Sequence, residues 1–417
     1  MAAYLTTVRR FSRNGKIILS YTFAKGLVLA LQGLIYNLYL LSLHFSPTLI
    51  GVLDAMAPVT VLLVSVPMGL LADRIGRKGL LIACTMSNPF VVLGMAFTAS
   101  PIWQVVLALL NGVLTTFYWI AYPAIIVESS SDADRQHLFS VNSWLLFGIG
   151  SVGYLLGGLE TVLAGQILHQ SPNAVEPLRW GLVLNFAVGL VGAIPLLWLR
   201  ETRRTAQQRQ ERRSYNYGLF ARLLVPDALL SFGAGAVLAF NQLYFTEAFR
   251  LTAGDVGLFL AISGLAGSFG ALVSPLLTGR LGTARAAIAL QGTAFPLIAG
   301  LALAPSVGVA MGVYTLWGLV RSAIDPTYTA FIMEQVPAQQ RSTLSGLYSA
   351  TWAIGFGAGP IATGGLQSAT GGFTAPFLVA AACYGVATTA LYTFFGRRAR
   401  RPEQVADVGA AASRRAR

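Results

Sequence analysis

Long apolar stretches, each closed by a short cluster of charged or polar residues, follow one another along almost the whole chain. Ala55 to Ala72 carries no charge and neither does Gly79 to Val127. A helix that crosses a bilayer needs about 20 mostly apolar residues. Cutting the chain at its polar clusters therefore predicts twelve spans, near 17–43, 47–72, 79–99, 102–128, 138–166, 180–200, 219–249, 254–279, 285–304, 306–333, 342–369 and 374–396. The predicted fold class is an all-α membrane protein with twelve transmembrane helices.

Composition agrees, because 55% hydrophobic and only 11% charged residues are too apolar a mixture for a soluble enzyme. The net charge of +13 raises the question of nucleic acid, and the placement of the charges answers it. Alternate loops share one side, and the side that holds both termini carries 25 of the 29 Lys and Arg residues. This is the positive-inside pattern, so both termini are expected in the cytoplasm of a multi-pass plasma (cytoplasmic) membrane protein, with anionic lipid rather than nucleic acid as the basic surface's partner. The first span follows Arg9, Arg10, Arg13 and Lys16, is too long for a signal-peptide core and lacks a small-residue cleavage site, so it is expected to stay attached. Cys84 and Cys383 each lie inside an apolar segment and offer no disulfide framework or metal site.

A shift of 206 residues brings 112–158 onto 318–364 without a gap. It sets Gly112 on Gly318, Tyr122 on Tyr328, Glu128 on Glu334, Arg135 on Arg341 and Gly158 on Gly364, and also Arg74 on Arg280 and Gly76 on Gly282. A shift of six spans keeps orientation, so the chain is expected to be a parallel repeat of two six-helix bundles about an axis along the membrane normal. Residues 1–199 form the first bundle and 219–401 the second. The Arg-rich stretch 200–218 is the cytoplasmic linker, and 402–417 is a disordered tail.

The stretch GLLADRIGRKG, residues 69–79, is an island of charge between the second and third spans. Topology alone would account for Arg77 and Lys78. It leaves Gly69, which lets helices approach, Asp73, an acid at the membrane edge, and Gly76, which permits a tight reversal. The order G-x-x-A-D-R-x-G-R-K resembles the signature loop of the major facilitator superfamily of transporters, and the span count, central linker and duplication extend the resemblance over nearly the whole chain. The resemblance implies a conformational latch made of Gly69, Asp73, Arg74, Gly76, Arg77, Lys78 and Glu128, with Asp73 set against the start of the eleventh helix near Ser342 and Thr343 and Arg77 paired with Glu128. Two marks of the family's proton-coupled drug antiporters are weak here. LALLNGV at 107–113 has no Arg in the fourth span, and Gly153 to Gly158 lacks the proline of the fifth.

The resemblance also implies that spans 1, 4, 7 and 10 line a central cavity. Their candidates are Lys25, Gln32 and Tyr36; Asn111, Thr115, Tyr118 and Tyr122; Asn241; and Trp317, Arg321 and Tyr328. For the amides and aromatics, helix packing is the alternative. An ionised side chain inside a span costs at least about 2.5–3.5 kcal/mol unless it meets water or a partner. Arg321 and Asp325, one turn apart in the tenth span, are either a self-neutralising pair or a working site, and Asp325 followed by Asp54 are the proton-coupling candidates. Glu160, Glu247 and Asp255, like Asp54, lie nearer the outer ends of their spans. No ATP-binding glycine loop, HExxH or Cys/His cluster occurs. The chain is thus expected to be no enzyme, to need no cofactor or metal and to be monomeric. Its expected function is secondary active transport of a small-molecule substrate, as proton-coupled efflux of a drug-like or metabolite solute. Uptake of an anionic metabolite, favoured by Lys25 and Arg321, and a non-transporting receptor are the alternatives.

Overall fold

Helix ends are fixed by local chemistry wherever the apolar pattern stops. The Ser12 hydroxyl accepts a hydrogen bond from the Gly15 amide at 3.1 Å and opens α1, Arg13–Ser42. The remaining helices are α2 (Pro47–Ile75), α3 (Arg77–Ala96), α4 (Pro101–Glu128), α5 (Asp132–Leu168), α6 (Val175–Ala193), α7 (Tyr217–Leu238), α8 (Asn241–Phe249), α9 (Ala253–Leu281), α10 (Thr283–Ala302), α11 (Val307–Glu334), α12 (Arg341–Thr370) and α13 (Thr374–Leu391). The computed structural model describes residues 11–128, 132–200, 217–336 and 340–396, without the side chains at 66, 69, 70, 72–75, 77, 120–124, 126–128, 132–137, 139, 140, 143, 147, 271, 272, 275 and 341–343.

Eleven described helices are by themselves long and apolar enough to cross a bilayer. The twelfth span, α12, is rich in Gly, Ser, Thr and Ala and packs between α2 and α7. The seventh predicted span, 219–249, is two helices, because the chain turns at Ala239 and Phe240 between α7 and α8. Thr252 and Asp255 close a capping box at the start of α9, so Asp255 is a cap. Gly76 (φ 101°) reverses the chain between α2 and α3, and Gly282 (φ 78°) does so between α9 and α10. These two positive-φ glycines lie 206 residues apart, so the repeat extends to backbone conformation.

The molecule is the twelve-helix fold of two six-helix bundles. They meet along two seams, α2 against α12 and α5 against α9. Small residues bring the backbones together: Gly51 abuts the Pro360 carbonyl and Gly364 abuts the Pro47 backbone. A Cβ on Gly257 would stand 2.7 Å from the Tyr154 carbonyl oxygen, and one on Gly158 would stand 3.1 Å from that of Gly254. The 206-residue shift carries the first seam onto the second, 51 to 257 and 154 to 360, and likewise Pro58–Gly357 onto Gly264–Ser151.

Both seams lie toward the face opposite the termini, here the far face. On that side a single buried cluster unites Leu31 to Leu40, Ile50 and Leu53 of the first bundle with Val237, Phe240, Leu243 and Phe245 of the second. Toward the terminal face the first bundle has a separate core of Ile18, Leu19, Met68, Leu81, Phe117 and Leu138. Among the described residues the bundles are thus joined through one core at the far face, a core that continues through the second bundle.

Candidate functional site

In the second bundle, α7 and α11 carry charge to one place. Arg321 donates from Nη1 to Asp325 Oδ1 at 2.7 Å, one helical turn away, as an i,i+4 pair. The Asp325 side chain is 58% exposed and that of Arg321 only 16%, so the carboxylate faces open space while the guanidinium sits behind it. A small pocket beside them is lined by Asp227 and Ser231 of α7, Tyr328 of α11, Tyr348 and Trp352 of α12, and Tyr384 of α13. Asp227 is 3% exposed and accepts from the Thr351 hydroxyl at 3.0 Å. Sequence reasoning missed Asp227. The signal was present, an acid after Pro226 in an otherwise uncharged stretch of the span.

In the first bundle Lys25 is 6% exposed, with its Nζ 5.6 Å from the centroid of the Tyr118 ring, which meets the Tyr21 ring edge-on. Thr22, also buried, donates to Asn142 at 2.7 Å and ties α1 to α5 beneath the lysine. The other candidates of this half turn elsewhere. Tyr36 donates to Gln104 at 3.0 Å, and Asn88 of α3 donates to Asn111 at 2.7 Å and to Thr115 at 3.4 Å, all within the bundle. Gln32 is half-buried, and the Tyr122 side chain lies outside the described residues.

Nearer the far face, polar groups cross between the bundles. Asn37 donates both to Asp54 at 2.7 Å and to the Ala239 carbonyl at 2.8 Å, where the chain breaks between α7 and α8. Gln242 donates in return to the Gly33 carbonyl. Positions 33 and 239 are 206 apart, so equivalent carbonyls receive an amide from the opposite half. Asn241 donates to the Tyr314 hydroxyl at 2.5 Å, Trp317 packs on Tyr314 at 5.7 Å, and Tyr328 donates to the Leu223 carbonyl at 2.5 Å. Gln367 donates to Glu247 at 2.9 Å.

Of the latch, Gly76 forms the reversal already described and Lys78 is half-buried at the start of α3. The side chains of Gly69, Asp73, Arg74, Arg77, Glu128, Ser342 and Thr343 lie outside the described residues. The second copy is visible, and there Thr283 at the start of α10 donates to Glu334 at the end of α11 at 2.5 Å. Thr283 and Glu334 are the 206-shifted counterparts of Arg77 and Glu128. Among the described residues no cluster of three or more His, Cys, Asp or Glu could hold a metal ion.

The family model described as Major Facilitator Superfamily matches residues 18–360 and 227–416. Solved structures share the fold. A bacterial homologue of the human lysosomal transporter Spinster, in an inward-facing and occupied conformation, is 17% identical, with a TM-score of 0.73 over 91% of this chain and 95% of that one. The nucleoside transporter NupG gives 14% and 0.71 over 92% and 99%. A bacterial homologue of the iron transporter ferroportin, in an inward-facing state, gives 15% and 0.74 over 91% and 98%. No curated protein matches by sequence.

Proposed function

Because this chain belongs to the major facilitator superfamily, we propose that it exports a small organic solute, drug-like or metabolite, across the cytoplasmic membrane by alternating access coupled to protons. That it is a multi-pass secondary transporter of a small-molecule substrate, and no enzyme, rests on the family itself and on the fold it shares with transporters. Export, proton coupling and a cytoplasmic location for both termini are our reading. The observation that supports it is the pair of repeat-related seams at the far face, Gly51 on Pro360 and Gly257 on Tyr154, with a core common to both bundles. With the termini in the cytoplasm, as the 25 basic residues favour, these seams close the molecule to the outside, one of the two states that alternating access requires. Residues 1–199 and 219–401 are then the bodies that rock, joined by 200–218.

Asp325 is the first proton carrier in this reading. Its carboxylate is exposed, so protons reach it, and it is held by Arg321 at 2.7 Å, a contact that a bound substrate could compete for. Asp54, held by Asn37, is the second. The test is Asp325→Asn in liposomes. Exchange of substrate down its gradient is expected to survive while proton-driven accumulation disappears. Retained uphill transport would move the proton site to Asp54. Proton-coupled uptake of an anionic metabolite is the second reading, favoured by the burial of Lys25.

A further inference from the structure

Two buried charges in the middle of the molecule have no ion-pair partner among the described residues. Lys25 is 6% exposed and meets only the face of Tyr118. Asp227 is 3% exposed and accepts from the Thr351 hydroxyl, while Arg321, which lines the same pocket, makes its ion pair with Asp325 at 2.7 Å. A buried ion left without a counter-ion is costly, and such side chains inside spans serve a pathway or a ligand.

The repeat places the two charges at related positions in the two bundles. The 206-residue shift carries Tyr21 onto Asp227, Lys25 onto Ser231, Thr115 onto Arg321, Tyr118 onto Ile324 and Asn142 onto Tyr348, and those second-half residues line the pocket beside Asp325. Lys25 thus stands in the first bundle at the locus that the Asp227 pocket fills in the second, one helical turn further along. At about 1.5 Å per residue, that turn separates the two in depth by about 6 Å along their helices.

We infer that the central site takes a dipolar solute whose anionic group is received by Lys25 and whose ammonium group is received by Asp227, as an amino acid would present them. The inference rests on the transporter reading and narrows its substrate class. Tyr118 on one side and Tyr328, Tyr348, Trp352 and Tyr384 on the other supply the ring faces that suit an ammonium and an apolar side group. A solute with one charge would satisfy one half of the site and leave the other ion bare.

The test uses the full-length protein and matched probes on shared skeletons: phenylalanine with phenethylamine and 3-phenylpropionate, and leucine with isoamylamine and 4-methylpentanoate. Binding is read by thermal shift and exchange by counterflow in liposomes. In at least one set the dipolar probe is expected to bind about tenfold tighter or better than both singly charged relatives. Lys25→Met should erase its advantage over the amine and keep the advantage over the acid, and Asp227→Asn should do the reverse, so each variant reports its own folding. The inference falls if a singly charged probe binds as tightly as its dipolar relative, if no dipolar probe binds, or if the double variant Lys25→Met with Asp227→Leu handles all probes as the native protein does. Counterflow of singly charged probes alone would overturn this inference and leave transport standing. Binding of the dipolar probes without counterflow would keep the site and sink the transporter reading.

Discussion

The far and terminal faces are built from the same helices and differ in how those helices meet. Along α12, Gly364 and Pro360 lie against the backbone of α2, whereas a Cβ on Gly346, near the terminal end, would meet nothing within 4 Å. Among the described residues, one helix therefore carries a tight contact at one end and an open position at the other. Close backbone packing holds the far end, while the sequence resemblance assigns the terminal end to charges at its rim. On that assignment, the two ends rest on different forces and respond to different substitutions.

The largest effect is expected from Gly51→Leu. Its side chain would collide with the Pro360 carbonyl, and overpacking costs about 1–3 kcal/mol, which moves the equilibrium between far-closed and far-open states by roughly 5- to 150-fold. Spin-label distances across the far face should lengthen, and an unchanged distribution would show that the seam is not the gate. Next is Asn37→Ala, which strips donors from Asp54 and from the Ala239 carbonyl. Leaving buried acceptors unpaired costs about 1–3 kcal/mol, partly relieved by water at an opening gate, so the same distances should lengthen less.

Smaller still is Asp73→Asn at the other end. A carboxylate at a helix start is worth about 0.3–1 kcal/mol, so its loss should favour terminal-face-open states by no more than about fivefold, with distances across that face as the measure. The smallest is Gly346→Ala. It adds a methyl where there is room and removes a flexible residue from a helix, so stability should rise slightly, by about 0.5–1 kcal/mol or less, read as a small upward thermal shift. A marked loss of stability there would mean that the terminal end is packed like the far end.

How much of this could be read from sequence follows from the same physics. Bilayer thickness imposes a length on every apolar run, so the spans stood out. The duplication could be read because Gly, Glu and Arg are distinctive at helix ends: Gly76 and Gly282 share a positive φ, and Glu334 meets Thr283 as Glu128 is expected to meet Arg77. The break at Ala239 and Phe240 left no mark, since neither residue is a proline or a charge and the turn is held by Asn37 from 202 residues away. A helical stripe of polar residues on α1 and α4 does not say which neighbour each one faces. Tyr36, Asn111 and Thr115 turn into their own bundle, whereas Lys25 and Tyr118 turn to each other. Asp227 illustrates the opposite case, a residue that was missed although the cost of an acid inside a span marks it in the sequence.

The two seams have a consequence for ancestry. Because Gly51 meets residue 360 and Gly257 meets residue 154, each half carries on its own surface both the α2-type and the α5-type partner of the contact. That is the requirement for an isologous pair, in which one patch on a protomer fits another patch on its copy through a two-fold axis. A single six-helix unit with these surfaces could assemble as a homodimer before any linker joined it. Fusion would then have freed the two copies to diverge in charge, as Tyr21 and Asp227, or Lys25 and Ser231, have done, while the glycines that bring the backbones together stayed in register.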